Sequence, residues 1–247
     1  MELTVVGSSS KGNCYIIQNK QEALIIEAGC GFADLLKAIA YNIPKVTACL
    51  VTHEHGDHSK NVQKLCELGI KCYMSEGTRN GIKNLRRDVS LVKAGNQFTV
   101  GRFIVLPFDT HHDSNEPLGY LISHPEIGTL LFAIDTCYLD YTFSGLTNIM
   151  IECNYCSELL EQNMQEGIVH PKVGKHIVQG HMSLKTCVQA LQANNLEHVN
   201  KIILLHLSND NSDPVAFQRE VELATGKTVI VAKQGAKVDL SLTPFNV

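Results

Sequence analysis

The chain has 247 residues, 44% of them hydrophobic and 19% charged, with a formal net charge of −4. Such a composition suits a soluble globular protein and excludes any general electrostatic attraction to nucleic acid. It has enough apolar residues for one sizeable domain or two small ones packed together, and we expect a single domain over residues 1–247.

In chain order, apolar strand-like runs are expected at 3–6, 14–17 and 23–26. The first opens the chain with no basic head and no long apolar core, so neither a signal peptide nor a membrane anchor is expected, and the cytoplasm is the expected compartment. Nine cysteines, odd in number and without framework spacing, agree with a reducing compartment. Between the first two strands runs Gly7-Ser8-Ser9-Ser10-Lys11-Gly12-Asn13, whose N–H groups and hydroxyls could hold a phosphate, although tight hairpins use the same residues. A helix over 32–41, a strand over 46–51 and helices over 59–68 and 76–84 follow. Strands are next expected at 98–100, 103–107, 118–123 and 129–134, with a hairpin at 123–128 that makes His124 a turn residue. The remainder reads as a strand at 148–151, helices at 158–165 and 183–193, a strand at 201–205, a helix at 214–224 capped by Asp213, and strands at 228–231 and 237–240. Two strand-rich halves, each carrying helices, suggest mixed sheets packed face to face with helices outside, a four-layer α/β arrangement.

The loop after the strand at 46–51 reads His53-Glu54-His55-Gly56-Asp57-His58. Crowding three imidazoles and a carboxylate at i, i+2, i+4 and i+5 is costly unless something pairs with them, so the run points to metal. Imidazole with carboxylate suits zinc or a similar borderline divalent ion, whereas Ca or Mg alone would want more oxygens. By contrast His124, His170, His176 and His198 stand singly and read as surface or hydrogen-bonded residues, and the lone Cys153–Cys156 pair reads as buried structural thiols. Further ligand candidates fall where strands end: His111, His112 and Asp113 after Pro107, Asp135 after Ile134, and His206 after Leu205. Two divalent ions would add about four positive charges there and invert the local field despite the net negative charge. Lys83, Arg86 and Arg87 could extend that field or simply form a solvated helix face.

In these motifs the sequence resembles the metallo-β-lactamase-fold hydrolase superfamily: Thr52 through His58, then His112, Asp135 and His206 in order. The resemblance implies an αββα sandwich of two mixed sheets. It also implies one metal on His53, His55 and His112, a second on Asp57, His58 and His206, and Asp135 bridging the two. Its closest flavour is the YycJ/WalJ-like exonuclease branch, carried by Ser8 to Asn13, by His112-Asp113 with Glu116-Pro117-Leu118-Gly119-Tyr120, by Glu152-Cys153-Asn154, by Gly180-His181-Met182-Ser183 and by His206-Leu207-Ser208-Asn209. This third motif favours His112 over His111. Two departures stand out: Glu27 where the family usually has Asp, and Tyr155 where His is expected after Asn154.

The expected activity is therefore hydrolysis of a phosphodiester, as a DNA exonuclease, by a hydroxide held between two divalent ions, Zn or Mn first and Fe as a further choice. Asp57 would orient the nucleophile, with Asp135 beside it. Ser9, Ser10, Asn13 and His181 would bind substrate, and His181 would protonate the leaving oxygen. Nucleic acid or another phosphodiester is the expected partner. The alternatives are hydrolysis of a lactone, thioester, small ester or cyclic nucleotide by the same site, and a non-catalytic metal-binding module.

Overall fold

The structure, a computed structural model, describes residues 1–242. One sheet takes β1 (Glu2–Gly7), β2 (Cys14–Gln18), β3 (Ala23–Ile26), β4 (Val46–Leu50), β5 (Cys72–Met74), β6 (Ser90–Leu91) and β14 (Lys237–Asp239), in the order β14-β1-β2-β3-β4-β5-β6. The other takes β7 (Phe98–Val100), β8 (Phe103–Asp109), β9 (Leu118–His124), β10 (Gly128–Ala133), β11 (Leu146–Glu152), β12 (Lys201–Leu205) and β13 (Thr228–Val231), in the order β13-β12-β11-β10-β9-β8-β7. Both sheets are mixed: pairing is antiparallel from β14 to β3 and from β7 to β10, then parallel from β3 to β6 and from β10 to β13.

Alternation along the strands builds three apolar layers. Tyr15, Ile17, Leu24, Ile26, Leu50, Phe132, Ile203 and Leu205 point into the space between the sheets. Their neighbours Ile16, Ile25 and Cys49 meet α1 (Phe32–Ala38) and α3 (Val62–Glu67) on one outer face. Leu131, Ala133, Ile202 and Leu204 meet α7 (Leu184–Ala193) and α8 (Pro214–Thr225) on the other. Strands covered on both faces read as continuous apolar runs, which is why those runs were legible. The result is the αββα sandwich, and no helix among the described residues is long and apolar enough to cross a membrane.

Several elements depart from expectation. The helix expected at 59–68 is two pieces, α2 (Gly56–Ser59) and α3, because the Asn61 N–H turns to the Ala28 carbonyl instead of to the preceding turn, and its side chain anchors it there on Ala28 and Cys30. The first helix stops at Ala38, since Ala40 and Tyr41 turn left-handed and the Tyr41 N–H closes onto the Leu36 carbonyl. α4 (Glu76–Gly81) and α5 (Ser157–Gln165) lie near their expected places, but α6 (Pro171–Gly180) was not foreseen. Its glycines read as breakers, yet Gly174 is where the Met164 thioether crosses and Gly180 is where His112 packs, so a Cβ at either position has little or no room. β5 and β6 were too short to show a period. His124 ends β9 and opens the hairpin turn, its carbonyl accepting from the Ile127 N–H, while its buried ring packs at a tilt on Phe103 and lies 3.1 Å from Glu22 Oε1.

Candidate metal centre

Carboxyl ends of β3, β4, β10, β11 and β12 converge on one edge of the sandwich, the place where strand ends leave room for a site. Three non-glycine residues there turn left-handed directly after their strands: Glu27 at φ 67°, Asp135 at φ 47° and His206 at φ 52°. This backbone is unfavourable for side chains with a Cβ, and here it swings each functional group off its sheet toward a common point. A close approach completes the framework. An added Cβ on Gly29 would sit 1.5 Å from the Asp57 carbonyl oxygen, so only glycine lets the β3 loop and α2 touch.

His53 is buried, with Nδ1 2.9 Å from Thr52 Oγ1, which leaves Nε2 facing inward at 3.0 Å from His55 Nδ1. His112 donates from Nδ1 to the Gly180 carbonyl at 2.9 Å and so presents Nε2, 3.1 Å from the same His55 nitrogen. Three imidazole nitrogens thus converge. Asp135 lies beneath them, with Oδ2 3.0 Å from His58 Nε2, 3.7 Å from His53 Nε2 and 3.8 Å from His112 Nε2. Its Oδ1 lies 2.7 Å from His206 Nδ1 without the alignment of a hydrogen bond, leaving that buried oxygen without a partner. Asp57 Oδ2 stands 3.4 Å from His58 Nε2.

Among the described residues, three sets of ligand atoms lie within 4.8 Å of one another: His53, His55 and His112; His53, His58 and Asp135; and Asp135, Glu152, His181 and His206. His53, His55 and His112 come together as one set, and Asp135 is shared between the other two. His206 differs from expectation, since its Nδ1 turns to Asp135 and Glu152 rather than joining Asp57 and His58. A buried carboxylate oxygen without a hydrogen bond, beside His53 and His112 whose Nδ1 atoms are already held, is chemistry that a borderline divalent ion satisfies.

Two further buried carboxylates contact ring nitrogens of the cluster. Glu27, fully buried, accepts from the Thr52 N–H and places Oε1 3.4 Å from His58 Nδ1. Glu152, also fully buried, accepts from the Thr136 and Met182 N–H groups and lies 2.7 Å from His181 Nδ1 and 3.1 Å from His206 Nδ1. The role of Glu152 was missed in the sequence, although a signal existed: like Asp135, it is an acid ending an apolar strand. Burial, then the charge of His58, hold the His53 imidazolium well below the usual range. Burial also opposes the charged form of His206, but Asp135 and Glu152 outweigh it and push its pKa up to about 10. For His181, burial is likewise outweighed by Glu152, so its pKa is raised.

The cluster opens into a cavity of about 350 Å³ walled in part by Ser10, His55, Asp57, His112, Asp135 and His181. Ser9 lines a separate, larger hollow of about 500 Å³ across the same loop. Asn13 reaches neither. It is fully buried, with Nδ2 3.1 Å from His58 Nε2, so it contacts the cluster and not the space where substrate would lie. Lys83, Arg86 and Arg87 are exposed and do not line the cavity. Tyr155 packs into a small cluster with Leu160 and Val169 and pairs with Ser183 through its backbone, away from the centre. Cys153 is buried, whereas Cys156 is partly exposed with its thiol on Glu158.

Residues 9–139 match the family model described as the metallo-beta-lactamase superfamily, and the chain belongs to that superfamily. It is 27% identical over 225 residues to exodeoxyribonuclease YycJ of Bacillus anthracis, covering 86% of this chain and 84% of that protein. It is 24% identical over 224 residues to exodeoxyribonuclease WalJ of Streptococcus pneumoniae, covering 85% and 82%. Among solved structures it resembles the metallo-beta-lactamase fold protein YhfI of Bacillus subtilis, with a TM-score of 0.71 at 16% identity over 96% of this chain and 99% of that one.

Proposed function

We propose that the protein is a metal-dependent phosphodiesterase that removes nucleotides from DNA. The convergence of His53, His55 and His112 on one point, with the unpartnered Asp135 oxygen beneath it, is the observation that carries this reading. The two named exodeoxyribonucleases supply the substrate class. His53, His55, His112, Asp57, His58, Asp135 and His206 would together hold two divalent ions; Zn and Mn suit these donors first, and Fe also. Such ions supply Lewis acidity toward the phosphoryl oxygens and lower the pKa of water.

The chain's own groups do the rest. Thr52, Gly180, Glu27 and Glu152 fix the rings of His53, His112, His58 and His206, so little reorganisation is left for the reaction. Asp57 and Asp135 orient the attacking water. Ser10 lines the cavity as a hydroxyl donor for a phosphate oxygen, and Ser9 faces the adjoining hollow. Glu152 pins His181 through Nδ1, leaving Nε2 as the atom that delivers a proton to the leaving oxygen. Asn13 holds His58 and Asp57 in place.

The test is hydrolysis by metal-resolved protein, with Zn, Mn or Fe added singly, on 5′- and 3′-blocked DNA beside cyclic nucleotide and lactone. Stepwise shortening of DNA is expected. Turnover confined to lactone or cyclic nucleotide overturns the proposal.

A further inference from the structure

The cavity over the histidine cluster does not end at His112. A second hollow of about 400 Å³ adjoins it and shares His112, Asp113, His176 and Gly180 with it. The additional walls are His111 and Gln179. Neither has a part in the chemistry above.

His111 is held as a rigid surface. Its ring stacks on Tyr138 with centroids 4.1 Å apart and planes 17° from parallel, and its Nε2 lies 2.5 Å from Asp140 Oδ2. The two loops are also tied by backbone: the His111 N–H donates to Thr136 Oγ1 and the Cys137 N–H donates to the His111 carbonyl. Yet the pair is not buried, since Tyr138 is 44% exposed and the His111 side chain 35%. Burial does not account for the stack, and immobilising two exposed side chains costs conformational entropy. A preassembled aromatic surface beside a phosphodiester-cleaving centre is suited to a nucleobase, whose π-face packs on such rings whatever its sequence.

α6 supplies the other side of the hollow. Lys172, Lys175, His176 and Gln179 recur at i, i+3, i+4 and i+7, so they share one face of the helix, and all are exposed. His176 and Gln179 offer polar atoms to a base edge within the hollow, and the lysines continue that face with positive charge suited to phosphates.

We propose that His111, backed by Tyr138, is the stacking surface for the nucleobase next to the scissile phosphate of a single-stranded nucleic acid. His176 and Gln179 meet its edge, and Lys172 and Lys175 follow the adjoining phosphates. The assignment rests on the phosphodiesterase reading and adds a base-binding site to it.

The test compares single-stranded oligodeoxynucleotides with matched strands carrying one abasic residue at successive positions. His111→Ala is expected to raise KM about tenfold with a much smaller change in kcat, and His111→Phe to restore it, because the ring and not the imidazole nitrogen makes the contact. One abasic position raises the wild-type KM by a similar factor and adds little to His111→Ala. Insensitivity to every abasic position, or a His111→Phe variant as poor as His111→Ala, overturns the assignment. The chain has no tryptophan, so Tyr138→Trp adds a single tryptophan at the stack, excited apart from the tyrosines at the long-wavelength edge of its absorption. Its fluorescence should be quenched by oligo(dT) and not by the same length of abasic strand, and equal response to both overturns the assignment. If wild-type protein hydrolyses no phosphodiester in any metal, the phosphodiesterase reading fails, while the fluorescence titration still decides whether the stack binds bases.

Discussion

Asp135 is the residue on which the centre turns. It is buried, left-handed in its backbone, and placed between His58 and His206 with one oxygen unpartnered. Asp135→Asn keeps the shape and removes the charge, so turnover should fall by about a hundred- to a thousandfold while circular dichroism remains that of the folded protein. Retained rate with a full metal count would remove Asp135 from the mechanism. Glu27 and Glu152 act one step back, through the ring nitrogens they hold. Glu27→Gln weakens the hold on His58 Nδ1 and should lower metal affinity about tenfold, read by competition with a chromogenic chelator; unchanged affinity would assign Glu27 to packing alone. The ligand run at His53 to His58 was legible because chance does not crowd such groups. Glu152 was legible only as an acid ending a strand, and what makes it matter is the pair of histidines that the fold brings to it from distant positions.

At the scale of elements, the loops that carry the clustered histidines and carboxylates depend on close approaches that local sequence does not advertise. Gly29 lets the β3 loop touch α2, and Gly29→Ala forces a Cβ into the Asp57 carbonyl. The expected cost is about 1–3 kcal/mol in stability, with a loss of activity that exceeds the loss of folded protein because Asp57 and His58 move; calorimetry and hydrolysis on the same sample check both. A variant as stable and active as wild type would show that α2 shifts freely. The helices with clear periods, such as α7 and α8, were legible, and so was the cap of Asp213 on α8. α6 was hidden because its two glycines read as breakers; only the crossing Met164 and the packed His112 show why glycine stands there. Through the Gly180 carbonyl and the face of His176 and Gln179, this helix joins the metal centre to the proposed base site.

For the whole molecule, stability and loading are linked. Each divalent ion that binds the folded chain and not the unfolded one stabilises it by about 2.7 kcal/mol at a hundredfold excess over Kd, equivalent to a rise of roughly 5–10 °C in Tm per ion. Chelation should remove that rise together with all hydrolysis, and readdition of Mn or Zn should restore both; an unchanged Tm on chelation would speak against ions bound in the folded centre. The core between the sheets reaches the centre through Tyr15, whose hydroxyl donates to Asn13 Oδ1. Phe132, fully buried against Tyr15, should cost about 3–5 kcal/mol as Phe132→Ala, read by calorimetry on the metal-free protein.

The sandwich and a metal-type cluster were legible in the pattern of residues, and the hydrolase class in the resemblance those residues carry. Strands buried on both faces must be continuously apolar, and imidazoles and a carboxylate crowded within six residues need something to pair with them, so both leave a local mark. Tertiary structure alone decided which nitrogen each histidine presents, that His206 turns to Asp135 and Glu152, that Asn13 lies beneath the cluster, and that His111 stacks on Tyr138 beside it. Those facts depend on side chains contributed by separate strands and loops, and no local period or spacing encodes a distance between them.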